Sequence, residues 1–132
     1  MKSFFDTSAL VPLLILEPHS KGAVEAWRET EVGSARTWAR VEVEAALIRR
    51  KVAPQCWSDW RVLESKVRWL HAPTDFIDQI CQFNRALGLR AADAGHLLVF
   101  ERATRVIEEL KLVTFDREMH AAASRLQLTV RE

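Results

Sequence analysis

The sequence predicts an α/β fold, a central parallel β-sheet flanked by α-helices on both faces. Short apolar runs suited to buried strands alternate with longer helix-periodic stretches along the whole chain. Two of those runs, Ser3 to Asp6 and Leu112 to Asp116, end on aspartate. Strands that need cover on both sides, joined by helices, form a parallel sheet. There is no internal repeat, low-complexity tract or linker, so residues 1–132 read as one unit, long enough to bury a core.

Taken in order, Ser3 to Asp6 is the first strand and Ser8 to Ile15 the first helix. Pro18 suits the first turn of a second helix, His19 to Thr30, whose Ala23, Val24, Ala26 and Trp27 form a packed face. Glu31 to Ser34 is a short strand. Thr37 to Lys51 is helical and closed by Ala53-Pro54. Trp57 to about Leu70 is another helix, with Trp57, Trp60, Leu63, Val67 and Leu70 in helical spacing, although Arg68 to His71 can also be read as a strand. Thr74 to Leu87 is helical, with Thr74 as N-cap and Gly88 as C-cap. Ala91 to about Arg102 is apolar nearly all round and reads as a central buried helix. Thr104 to Lys111 is ambiguous between helix and loop. Leu112 to Asp116 is a strand, Glu118 to Leu126 a helix, and Leu128 to Val130 a last short strand.

Composition narrows the function classes. Hydrophobic residues make up 48% and charged residues 28%, with a net charge of +1, so no global charge argues for nucleic acid or membrane. The longest apolar run, Ala9 to Leu16, is too short to span a bilayer and contains Pro12. It lacks the flanks of a signal peptide, which makes a cytoplasmic location the expectation. Cys56 and Cys81 have neither CxxC nor zinc spacing and read as reduced thiols.

Four carboxylates stand where a solvated charge is not expected. Asp6 and Asp116 end strand candidates, so both would point into the crevice beyond the carboxyl ends of a parallel sheet. The competing reading for each is a helix N-cap. On a helical wheel, Trp38, Ala45 and Ile48 lie within about 60° of Val41, Glu42 at about 100°, and Ala46 and Ala39 at about 140–160°. Glu42 therefore falls inside an apolar arc, whereas Glu44 falls on the polar side with Arg40 as its partner. A buried glutamate must be paired, protonated or on a metal, and the competing partner here is Arg49. Asp93 lies in the first turn of the most apolar helix, where the competing reading is a dipole effect. His96, alone on that helix, reads as a supporting residue rather than a ligand. With no matching inward lysines or arginines, the four carboxylates suggest a site for Mg²⁺ or Mn²⁺. Such a site, with one metal or two, supports phosphodiester hydrolysis. Thr7, Ser8 and Thr114 would fix waters or carboxylates from behind it.

The stretches that carry these carboxylates resemble the four motifs of PIN-domain ribonucleases, most closely the VapC-type toxins of bacterial toxin–antitoxin pairs. They are Phe5-Asp6-Thr7-Ser8-Ala9-Leu10, Ala39 to Arg49 around Glu42, Leu87 to Leu97 around Asp93, and Leu112-Val113-Thr114-Phe115-Asp116-Arg117. The match runs in order over nearly the whole chain. The first motif alone is weak, and the segments around Asp93 and Asp116 together are strong. The resemblance implies a PIN fold and a Mg²⁺- or Mn²⁺-dependent endoribonuclease. It places Asp6, Glu42, Asp93 and Asp116 in the acidic site, with Asp6 and Asp93 as metal ligands. It also implies a VapB-like antitoxin that holds the chain inactive, and a homodimer. One departure is Gly95, where the family more often has a larger apolar residue. Glycine in mid-helix costs about 1 kcal/mol against alanine, which is consistent with close helix packing there.

An RNA substrate needs phosphate contacts. Arg36, Arg40, Arg49, Arg50 and Lys51 surround the Glu42 helix, and Arg85, Arg90 and Arg117 lie near the other motifs; for any one of them the plain alternative is a solvated helix charge. Trp57 and Trp60 read as core, with the sharper alternative that their face lines a groove for an amphipathic antitoxin segment. Three rival readings stand beside the nuclease. A phosphoacceptor receiver domain would want adjacent acids after the first strand and a lysine ending a late strand, and both are missing. A non-catalytic PIN-like interaction module should have lost a carboxylate. A housekeeping RNA-processing PIN nuclease would lack an antitoxin.

Overall fold

The computed structural model describes residues 1–132. Four strands form one sheet in the order β3-β2-β1-β4, and every pairing is parallel. They are β1 (Lys2–Phe5), β2 (Val32–Arg36), β3 (Arg68–Leu70) and β4 (Lys111–Val113). Seven α-helices connect and cover them: α1 (Thr7–Leu10), α2 (Ser20–Glu29), α3 (Trp38–Arg49), α4 (Pro54–Lys66), α5 (Phe76–Asn84), α6 (Ala91–Thr104) and α7 (Arg117–Arg125). The expected α/β architecture with helices on both faces is present.

The period of two along a strand divides the core in two. Phe4 pairs with Leu112, and both face the cluster built by α5, α6 and α7. Phe5 pairs with Val113, and both face the cluster built by α1 to α4. Phe4 packs against Phe100 and Phe5 against Trp27, each with ring centroids 5.4 Å apart. A one-residue slip of β1 would send both phenylalanines into the wrong layer, so the register is strongly specified.

Several elements differ from expectation. The first helix is a single α turn that tightens into a 3-10 turn over Val11–Leu13. α2 begins at Ser20, two residues after Pro18, where the Ser20 hydroxyl accepts from the Glu17 amide. Pro54 opens α4 rather than merely closing α3, as its missing N–H permits at a first helical position. The strand alternative for Arg68 to His71 is realised as β3. Thr74 caps nothing, since α5 starts at Phe76 with Asp75 before it. Gly88 does turn the chain after α5: its φ is 65°, and its amide donates to the Asn84 carbonyl at 2.8 Å. The Asn84 side chain then brackets Leu89, accepting from its amide and donating to its carbonyl, which sets the entry into α6. β4 stops at Val113, and the expected last strand reduces to one bridge between Leu112 and Val130.

The wheel on α3 chose the wrong arc. Trp38, Val41 and Ile48 are exposed, while Ala39, Val43 and Leu47 are buried against the sheet. Glu42 lies at the border of the two arcs. Glu44 is not a solvated charge: it accepts the indole N–H of Trp60 at 3.0 Å, and Arg40 pairs instead with Glu64 at 2.9 Å. Trp60 is 1% exposed, stacked edge-on with Trp69, so it belongs to the core and lines no groove. No helix is long and apolar enough to cross a membrane.

Candidate active site

Parallel strands deliver their carboxyl ends to one edge, and β1 lies between β2 and β4. The residues following these three strands therefore meet there, in the crevice where open α/β sheets bind ligands.

Asp6 leaves β1 with extended backbone and stands before α1, yet its side chain caps nothing. Its carboxylate is 2% exposed. It accepts from the Ser8 hydroxyl at 2.6 Å and from the Thr114 hydroxyl at 2.9 Å. Those hydroxyls in turn accept backbone amides of the β4 exit: Phe115 N–H donates to Ser8 and Asp116 N–H to Thr114. The two strand ends are thus tied together through Asp6. Burial raises the Asp6 pKa from 3.8 to about 6, and the two hydrogen bonds only partly oppose it, while the nearby Asp93 charge adds to it.

Glu42 projects from α3 toward the same edge. Its Oε1 accepts from the Thr7 hydroxyl at 2.8 Å and is in short contact with His96 Nε2. Arg49, the competing partner, is not bonded to it. Burial pushes Glu42 up, but the His96 bond and charge, the Thr7 bond and the Arg36 charge outweigh it and hold the carboxyl below its ordinary value. His96 is 1% exposed, and its Nδ1 has no partner. It acts here as the prop of Glu42.

Asp93 opens α6, half-buried, three residues before His96 and on the same side of the helix. Burial, then the Asp116 charge, raise its pKa, against the pull of Arg90 and His96; Glu42 also raises it. Asp93 thus senses the charges of Asp116 and Glu42, and Asp6 senses that of Asp93. Asp116 caps α7: its Oδ1 accepts from the amides of Glu118 and Met119. The N-cap reading of Asp116 therefore holds for one oxygen, while Oδ2 turns to Arg90 at 3.0 Å. Arg90 also reaches Asp93 at 3.3 Å, bridging the two from the exposed rim.

No three of these groups converge as a ready-made cage for a metal ion. Of the arginines singled out in the sequence, Arg36 and Arg90 border the site. Arg40 and Arg50 are engaged elsewhere, with Glu64 and Glu17. Sequence reasoning gave His96 no partner, although its spacing of three from Asp93 put it on the right side of α6. It treated Arg36 as one basic residue among several, and only the structure sets it at the end of β2 beside the site.

No family model matches the chain, and no curated relative matches it. Solved structures do. The VapC20 toxin of Mycobacterium tuberculosis, described as cleaving the sarcin-ricin loop, aligns with a TM-score of 0.75 at 20% identity over 92% of this chain and 95% of that one. The chain has a PIN-domain fold. A toxin–antitoxin complex from Klebsiella pneumoniae aligns with a TM-score of 0.67 at 20% identity over 91% of each chain. FitAcB from Neisseria gonorrhoeae aligns with 0.65 at 15% over 98% and 96%. Across identities this low the likeness is one of fold. Within this PIN fold, the acidic edge is built by β1, α3, the start of α6 and the β4 exit.

Proposed function

We propose that this chain is a metal-dependent endoribonuclease, the VapC-like toxin of a toxin–antitoxin pair. The observation that carries the reading is Asp6, a buried carboxylate with its proton affinity raised, which shares one sheet edge with Glu42, Asp93 and Asp116. Four acids gathered without four compensating cations are poorly placed for stability and well placed for a divalent ion.

The donor set is oxygen only, which fits Mg²⁺ or Mn²⁺. Mg²⁺ keeps several waters and takes one or two carboxylates plus substrate phosphate, so the lack of a three-ligand cage is no obstacle. Asp6 and Asp93, the two acids raised by burial, would hold it. When bound, the ion would supply charge stabilisation at a phosphate oxygen and acidify a water. Thr114 and Ser8 keep Asp6 oriented. Glu42 is held ionised by His96 with both bonds on Oε1, which leaves Oε2 to orient a water. Asp116 presents only Oδ2 to the site.

The antitoxin is a VapB-like protein, a reading supported by the toxin–antitoxin complex among the structural neighbours. Exposed Trp38, Val41 and Ile48 on α3 offer apolar area for a partner or for a homodimer. A mixed RNA pool incubated with purified chain tests the activity. We expect cleavage with Mg²⁺ or Mn²⁺, none with chelator, and none from Asp6→Asn or Asp93→Asn. Cleavage that persists in both variants or in chelator would refute the proposed site.

A further inference from the structure

Gly95 and Arg36 form a feature that the four carboxylates do not account for. Arg36 is the last residue of β2, and β2 lies beside β1, so Arg36 leaves the sheet at the edge that holds Asp6. Its guanidinium rests on the backbone of α6 at Gly95. A Cβ at position 95 would lie 2.2 Å from Nη1, 2.7 Å from Cζ and 3.0 Å from Nη2 of Arg36. Even alanine would therefore displace the guanidinium. Glycine inside a helix costs about 1 kcal/mol, and here it makes a recess for a cation.

That cation is unspent. Arg36 is half-buried, yet its guanidinium donates no side-chain hydrogen bond and forms no ion pair. The charge it senses is Glu42, which lies beyond ion-pair distance. Arg90, the other arginine at the site, has both Asp93 and Asp116 as partners. A planar guanidinium with free donors, fixed against a helix backbone beside an acidic site, matches a phosphate. We infer that Arg36, seated in the Gly95 recess, binds an RNA backbone phosphate next to the cleaved one, on the Glu42 side of the site. This rests on the endoribonuclease reading above.

The test measures binding and cleavage separately. Binding of a fluorescein-labelled, mixed-sequence single-stranded RNA is followed in chelator over a range of salt. Arg36→Gln should weaken it about tenfold at low salt and flatten the log–log salt dependence by about 0.7. Arg36→Lys should keep the slope and lose only part of the affinity. Gly95→Ala should reproduce the loss, and adding it to Arg36→Gln should cost little more, since both remove one contact. Arg36→Met should melt close to wild type, because losing the attraction to Glu42 is offset by removing a half-buried charge that has no ion-pair partner. Equal affinity and slope for wild type and Arg36→Gln would overturn the inference, as would wild type that binds no RNA at low salt. A variant with unchanged affinity but a shifted pH–rate profile would also overturn it, making Arg36 a tuner of Glu42. If wild type with Mg²⁺ or Mn²⁺ cleaves no RNA, the nuclease reading fails, and the salt slopes still decide whether Arg36 contacts phosphate.

Discussion

Replacing Asp6 with asparagine should make the protein more stable near neutral pH, although Asp6 stands at the centre of the site. Its pKa rises from 3.8 to about 6 on burial. A proton held more tightly in the native state adds stability that is complete below about pH 3.8 and is lost as pH rises through about 6. The gap corresponds to about 3 kcal/mol at neutral pH, at about 1.36 kcal/mol per tenfold change in proton affinity. Asparagine carries no charge and escapes this loss. It also replaces one acceptor oxygen with a donor facing a hydroxyl, which costs about 1 kcal/mol. The net gain is about 2 kcal/mol near pH 7.5, or roughly 5–10 °C in melting temperature. Below about pH 4 it should vanish or reverse. Denaturant titrations of both proteins in chelator, from acid to neutral pH, give the difference curve directly. Wild type should then recover stability when Mg²⁺ is added, and Asp6→Asn should recover less, because binding to the native state alone is stabilising. An asparagine variant less stable than wild type at neutral pH in chelator, or a difference independent of pH, would refute the argument from burial.

Two further outcomes follow from the same geometry. Arg90→Ala should tighten Mn²⁺ binding, measured calorimetrically, because the guanidinium and the metal compete for Asp93 and Asp116; weaker binding would show that Arg90 assists the site instead. Trp60→Ala should cost about 3–5 kcal/mol in denaturant titration, since the side chain is buried and its loss leaves Glu44 without its indole donor. Trp60→Phe should cost less, and antitoxin affinity per folded molecule should not change in either variant; a selective loss of that affinity would return Trp60 to a docking role.

The alternation of elements was readable because strand and helix periods are local properties. Pro54 and the short β3 show the limit: Pro54 opens the next helix instead of only closing the last one, and Arg68 to His71 fitted helix or strand until neighbours chose. The α3 wheel shows a second limit. Trp38, Val41, Ala45 and Ile48 make one apolar arc and Ala39, Val43 and Leu47 another, so amphipathicity could not say which faces the sheet. Glu42 was placed inward from the wrong arc, and it reaches the site because it borders both. Its actual partner could not be read locally: the competing candidate Arg49 is close along the helix, whereas His96 is 54 residues away.

What the sequence by itself determined is the set of elements, the two aspartates at strand exits, the aspartate opening the apolar helix, and hence an oxygen-rich edge. These depend on spacing and on the chemistry of single residues. Only the tertiary structure decided which of them meet. The strand order sets β1 between β2 and β4, bringing Thr114 to Asp6 across 108 residues and Arg36 onto Gly95. Burial at that junction, rather than residue identity, gives Asp6 its raised pKa, because desolvation is a property of the packed edge and not of the chain.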